Sequence, residues 1–546
     1  MNGRNGEPMP RAAIAAAIAA ALGSACVCFL TGTAYAQLGR GGGDFSTVGG
    51  DAHRSSWVTT DAKISPTALT KPGFELVWKV KFNNEARQLN ALTPASLLNG
   101  YIGYRGFRSL ALVGGSSNQV FAMDTDLGRV EWQKAIMPTP GAAGPSLSCP
   151  GGMTANVARP ISAAFPTPPV VGRGGGSRSS WAKSAVGGPN EGSVPLVEYM
   201  ERMAAPPPTV VAPAVPPVAP PAGRAPVLGR LPNFVHAISS DGMFHSLYVS
   251  NGEEPSPPVQ FLPPNSNAEG LTVVGNVAYA VTTDGCGGAP NAVWALDIAT
   301  QEVASWQAAE GGIAGNEGAA FGPDNTVYVT TRSGDMVTLE PKTLKLKEVF
   351  KAGHEFTTSP LVFQSGAKTW IAAATRDGRI YALDAAAFTT PVYQSEVLVP
   401  GDDFHPGALA SWQDPAGLRY VVAVTGSTVT SWKMVAHGED IALEKVWTSP
   451  EMVAPLTPLI VNGVVFAVSS GEFLSDDSKI TAAERVQRSV PAIVYAFEGT
   501  TGKMLWNSGK TMTSFVHGGG LSGGGSQLYL GTHDGMFYAF GFPIEH

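Results

Sequence analysis

Charge is scarce in this sequence. Only 14% of its 546 residues are Asp, Glu, Lys or Arg, and the net charge is −7. There is no basic excess with which to hold nucleic acid or an anionic membrane surface, so neither is expected as a partner. Cysteine is nearly absent, with four in the whole chain. No Cys-x-x-Cys-His sequence occurs, which excludes covalent c-type haem. Residues 172–177 are glycine-rich but lack the Lys of a phosphate loop and follow no strand. No Ser-His-Asp arrangement stands out. Beyond the first thirty or so residues, no apolar run is long enough to span a bilayer.

The N-terminus carries a targeting pattern. Arg11 precedes an apolar run over residues 12–22 that continues to Leu30, and Ala34-Tyr35-Ala36 precedes Gln37. This reads as a signal peptide over residues 1–36, cleaved after Ala36, with a periplasmic or secreted product. The minor alternative is a lipoprotein signal ending at Cys26, for which the small residues fit but Leu22 stands one place too far upstream. Cleavage after Ala36 removes Cys26 and Cys28. Cys149 and Cys286 remain, and in an oxidising compartment they are expected to pair as a disulfide. Two separate buried thiols are the alternative.

Glycine (65) and proline (43) are abundant, as many tight turns plus an unstructured segment would require. The turns punctuate a repeated phrase. An apolar strand at 527–531, the turn Asp534-Gly535 and a second apolar strand at 536–540 form the clearest case. The phrase recurs at 370–384 around Asp377-Gly378 and at 326–339 around Ser333-Gly334. Leu296, Leu339 and Leu383 hold equivalent places, a period of about 43 residues, and four short strands in ~40–50 residues make a propeller blade. Eight units can be traced. The fold expected is all-β, an eight-bladed β-propeller over 75–546, with seven blades as the alternative because the second unit is interrupted. The eighth unit lacks a closing Trp strand. The strand around Trp78 would supply it and leave no exposed edge. Residues 37–74 are then an N-terminal arm. The Pro- and Gly-rich insertion at about 166–230 cannot bury a core and reads as a solvated loop. A second insertion, 475–489, holds Thr481 and Glu484 at capping-box spacing, which predicts one short helix.

Several units end alike: Ala382-Leu383-Asp384, Ala295-Leu296-Asp297 with Trp306, and Tyr495-Ala496-Phe497-Glu498 leading to Trp506. The small Ala permits close packing, the acid opens a turn, and the Trp wedges between blades. This ending resembles the pyrroloquinoline-quinone (PQQ) repeat, and residues 75–546 resemble a propeller of the quinoprotein alcohol dehydrogenase-like superfamily. The resemblance implies one of two functions. Dehydrogenase members oxidise alcohols or sugars, with PQQ over a Trp floor, a calcium held by carboxylate and amide side chains, and a disulfide between adjacent cysteines. No two cysteines are adjacent here, and no acidic and amide cluster can be matched residue by residue. Other members are non-catalytic scaffolds that bind partners. The reading taken is an exported, non-catalytic binding or scaffold protein, whose partner is a protein or a small polar ligand at the propeller face. PQQ with Ca²⁺ enters only under the alternative, a periplasmic quinoprotein dehydrogenase.

One constellation follows from aligning the unit starts. Cys149-Pro150-Gly151, Asn316-Glu317-Gly318, His405-Pro406-Gly407 and His517-Gly518-Gly519 share a phrase, and Ala268-Glu269-Gly270 is a weaker match. Innermost strands line a propeller's channel, so these starts should ring one mouth, with glycines that let backbones approach. The ring would gather His405, His517, Asn316, Glu317 and Glu269, together with His354. Converging imidazoles and carboxylates suit a polar ligand or a metal. The competing role is a wet channel mouth whose histidines bond water and backbone. No catalytic residue or metal ligand is assigned.

Overall fold

The computed structural model describes residues 45–103, 106–137, 144–165, 233–398, 407–437, 440–475 and 477–543. The expected signal segment 1–36, the insertion at 166–230 and His405 lie outside the described residues. Strands form where apolar residues alternate or run unbroken, and they break at Gly, Asn and Asp turns. They assemble into eight separate sheets, so the molecule is an eight-bladed β-propeller. The innermost strands are Ser96–Gly103 in blade 1, Asn267–Val274 in blade 3 and Ala320–Phe321 in blade 4. Leu361–Ser365, Ala410–Gln413, Leu459–Val461 and Ser522–Gly524 follow in blades 5 to 8.

Blade 2 departs from the rest. Its sheet holds three strands, Phe234–Ile238, Met243–Tyr248 and Val259–Gln260. The stretch expected to begin its inner strand pairs with it only through a single bridge from Ala158 to His236. The chain then crosses over, and Pro160–Ile161 pairs in parallel with Val273 and Val274 of blade 3. Cys149 accordingly lies in the loop before that bridge rather than in a strand.

The ring closes as the missing strand implied. Glu75–Lys81 pairs antiparallel with Met536–Gly541 and completes blade 8. Closing-strand tryptophans lock three of the blades to the next. Trp132 Nε1 donates to Val249 O across the blade 1–2 boundary, at 2.8 Å. Trp447 Nε1 donates to Gly499 O across the blade 6–7 boundary, also at 2.8 Å. Trp78 Nε1 donates to Thr125 O at 2.9 Å and does the same between blades 8 and 1. Each indole lies against a glycine of the next outer turn. A Cβ on Gly252, Gly502 or Gly128 would stand 2.5–2.6 Å from the ring of Trp132, Trp447 or Trp78.

The N-terminal arm fills the channel. Phe45 O accepts from Leu97 N of blade 1, Thr47 Oγ1 donates to Leu271 O of blade 3, and Ala52 O accepts from Phe321 N of blade 4. His53 O, Ser55 O and Ser56 O then accept from Val362 N, Ser411 N and Ile460 N of blades 5, 6 and 7. Trp57–Val58 adds a parallel strand to Ile460 and Val461. Finally the Asp61 carboxylate accepts from Ser526 N and Oγ in blade 8. The arm thus visits the blades in their own order and satisfies inner-edge amides that would otherwise face the channel.

The second insertion folds as its capping box predicts. Ala482–Arg488 is helical, with the Thr481 side chain bonded to Glu484 N and the Glu484 side chain returning to Thr481 N. No helix among the described residues is long and apolar enough to cross a membrane.

Candidate functional site

The starts of the inner strands of blades 1, 3, 4, 6, 7 and 8 line one end of the channel, where the arm turns at Val48 and Gly49. Two adjoining cavities open there, of about 560 Å³ and about 230 Å³. Val48, Pro94, Asn316, Gly518 and Gly519 border both. The glycines of the aligned phrase bring backbones together as expected. A Cβ on Gly270 would stand 2.4 Å from Glu317 O, so blades 3 and 4 could not approach as they do with any larger residue.

The larger cavity holds two buried carboxylates, Glu317 and Glu472. Glu317 Oε2 and Glu472 Oε1 have no hydrogen-bond partner. Burial pushes the Glu317 carboxyl up to about 7; the Arg54 guanidinium opposes that shift and Asp51 adds to it. Arg54 lies close by but spends its donors elsewhere: Nε on Ala319 O, Nη1 on Val48 O, and Nη2 on Gly270 O and Thr272 Oγ1. Glu472 Oε2 takes its contact from His517 Nδ1, at 2.9 Å.

The smaller cavity is lined by Glu269, Asp284, Asn267 and His517. Burial again pushes the Glu269 carboxyl up to about 7, reinforced by Asp284 and opposed by Arg332. Asp284 itself pairs with Arg332 at 3.2 Å. The disulfide Cys149–Cys286 is present, with Cα atoms 5.4 Å apart, inside the span that a bridge requires. Its neighbours Ser148, Pro150 and Asp284 line the small cavity, so the bridge ties down the rim of that cavity.

The structure therefore brings Asn316, Glu317, Glu269 and His517 to one mouth. His354 does not join them. Its side chain is 56% exposed, 3.6 Å from Asp377, and it lines neither cavity. His405 is outside the described residues, but Gly407, two places on, lines the larger cavity. Glu472 is a member the aligned phrase misses, because it follows the second strand of blade 7 rather than preceding the first. Its signal is Ser470-Gly471-Glu472, a lone acid directly after an apolar strand. The arm residues Val48 and Gly49 were equally hidden. Among the described residues, no three His, Cys, Asp or Glu groups stand where they could hold a metal.

No family model matches the sequence, and no curated protein does. Solved structures do share the fold. The quinohemoprotein alcohol dehydrogenase of Comamonas testosteroni is 12% identical, with a TM-score of 0.51 over 92% of this chain and 81% of that one. A quinohemoprotein alcohol dehydrogenase of Pseudomonas putida HK5 is 11% identical, with a TM-score of 0.52 over the same shares. BamB from Moraxella catarrhalis is 12% identical, with a TM-score of 0.46 over 87% of this chain and 99% of that one. At these identities the likeness is one of fold.

Proposed function

We propose that the chain is an exported, non-catalytic binding protein that takes a small, donor-rich ligand, an amine or a polyol, into the mouth of its channel. The observation that carries this reading is the pair of buried, unpartnered carboxylate oxygens, Glu317 Oε2 and Glu472 Oε1, in residues lining one cavity. A buried acceptor without a donor is costly, and a ligand N–H or O–H would relieve it. Glu269 and Asp284 next door extend the acidic surface, which favours a cation on electrostatic grounds. Export is supported by the Cys149–Cys286 bridge together with the Ala34-Tyr35-Ala36 pattern.

The described residues of the mouth do not fit PQQ with calcium. Among them no Trp, Phe or Tyr lines either cavity, so they offer a planar quinone no aromatic floor. Among the described residues, no three His, Cys, Asp or Glu groups stand where they could hold a metal together. The adjacent-cysteine disulfide is replaced by a bridge across 137 residues.

Calorimetric titration with putrescine and with glucose tests the reading. Saturable heat with either, lost in Glu472→Gln, is the expected result. A parallel arm adds PQQ and Ca²⁺ and follows dye reduction with alcohols and sugars. Tight quinone binding with turnover would replace the proposal by the dehydrogenase reading.

A further inference from the structure

At the other end of the inner strands, the hairpin turns of blades 5 and 6 and the arm enclose a third cavity, of about 440 Å³. Pockets of ~300–1,000 Å³ are the size that takes small molecules. Aromatic rings form part of its wall. Trp57, Phe363 and Phe165 line it, and His53 stacks on Phe165 with centroids 4.3 Å apart. His53 Nδ1 lies 2.8 Å from Phe321 O, and its Nε2 is buried without a partner.

Arg419, from the inner hairpin of blade 6, is part of the same lining and only 7% exposed. Its guanidinium stands 5.4 Å from the Trp57 ring centroid and 5.7 Å from that of Phe363. Nη2 donates to Gln364 O at 2.6 Å, and Nε is buried with no partner. Two carboxylates also line the cavity, but both are engaged elsewhere. Asp51 accepts from His53 N, Ser55 N and Ser55 Oγ, and Asp414 accepts from Leu418 N and Tyr420 OH. Burial alone pushes Arg419 down to about 10, with no nearby charge acting on it. It remains cationic at neutral pH, a buried charge left unpaired.

Such a group is expensive to keep unless something completes it. Aromatic rings attract a guanidinium but accept no strong hydrogen bond from it. A carboxylate does, and its two oxygens match the fork of Arg. We infer that this cavity is a binding site for a small aromatic carboxylate, whose anionic end pairs with Arg419 and whose ring lies among Trp57, Phe363 and Phe165. The site is separate from the acidic mouth and opposite to it in charge preference.

Calorimetry on the purified protein, with sodium benzoate as probe, tests the assignment. Benzamide serves as the neutral twin and acetate as the anion without a ring. Benzoate should saturate, with both analogues at least tenfold weaker. Arg419→Gln should weaken benzoate at least tenfold, Arg419→Lys should keep part of the affinity, and the surface change Lys433→Gln should have no effect. Equal binding of benzoate and benzamide, absence of saturation at millimolar benzoate, or full affinity in Arg419→Gln would each overturn the inference. If Arg419→Gln does not fold, the benzoate and benzamide comparison on the unaltered protein still decides.

Discussion

Arg54 and Glu317 face each other across Gly49 without sharing a hydrogen bond. A Cβ on Gly49 would stand 2.6 Å from Glu317 Oε2 and 3.2 Å from Arg54 Cδ. The guanidinium serves backbone carbonyls of blades 3 and 4, and the carboxylate keeps a bare oxygen. The two residues therefore respond differently to change.

Glu317 sets a pH dependence. Its native carboxyl holds its proton up to about 7, above the ordinary 4.5. The folded state thus binds more protons than the unfolded one between those values, and stability falls as pH rises through that window. Glu269 acts in the same direction. His236, pushed down to about 4 by burial, acts oppositely, losing its contribution as pH falls below about 6.5. Glu317→Gln isolates the first effect. The variant should be more stable than the parent at pH 8.5, by at most roughly 3 kcal/mol, and nearly equal to it at pH 5. Thermal melts of both proteins at the two pH values give the comparison. An equal offset at both would reject the assignment.

Arg54 should tolerate replacement poorly. Arg54→Met leaves Ala319 O and Val48 O without their side-chain donor and takes one of two partners from Gly270 O and from Thr272 Oγ1. Each buried, unsatisfied group costs ~1–3 kcal/mol, so a loss of about 3 kcal/mol or more is expected. Urea midpoints at constant slope measure it.

The disulfide should matter more than its position in a loop suggests. It closes 137 residues of chain, for which chain entropy gives about 4–5 kcal/mol. Cys149→Ser with Cys286→Ser should lower the denaturation midpoint accordingly. Thiol titration of the unfolded, unreduced protein should find neither cysteine reactive.

Gly128 and Trp78 test the closure. Gly128 has φ of 62°, and a Cβ there would stand 2.5 Å from the Trp78 ring. Gly128→Ala should cost about 2–4 kcal/mol, from left-handed backbone and overpacking together. In a Trp78→Ala background only the backbone share should remain, about 1–2 kcal/mol. A double-mutant cycle on urea midpoints reads the coupling.

The blade count could be read from sequence because each blade repeats its own local signals, such as Asp377-Gly378 or Trp447. The missing closing strand of blade 8 even pointed to Trp78. Blade 2 resisted because its inner strand is replaced by one bridge at Ala158, with its chain crossing to blade 3. The arm resisted for a different reason. Its bonds at Phe45, Ala52 and His53 are backbone to backbone, and a backbone partner leaves no mark on residue type. At the mouth, Asn316, Glu317, Glu269 and His517 were legible through the phrase that starts each unit. Glu472 was not, since it enters from a neighbouring loop, and His354, expected beside the phrase rather than in it, does not line the cavities.

The arm also fixes an order of assembly. Asp61 finds Ser526 across 465 positions of chain, and Trp57 finds Ile460. The part synthesised first therefore has partners that are synthesised last. Contacts so distant in sequence slow folding, since the long loop must close before anything rewards it. The ring is wound on its own leading end, as cord on a mandrel, and a finished ring would have to reopen to admit it. A chain delivered whole and unfolded meets that requirement. A chain folding blade by blade as it emerges must keep its first segment in place until the eighth blade arrives.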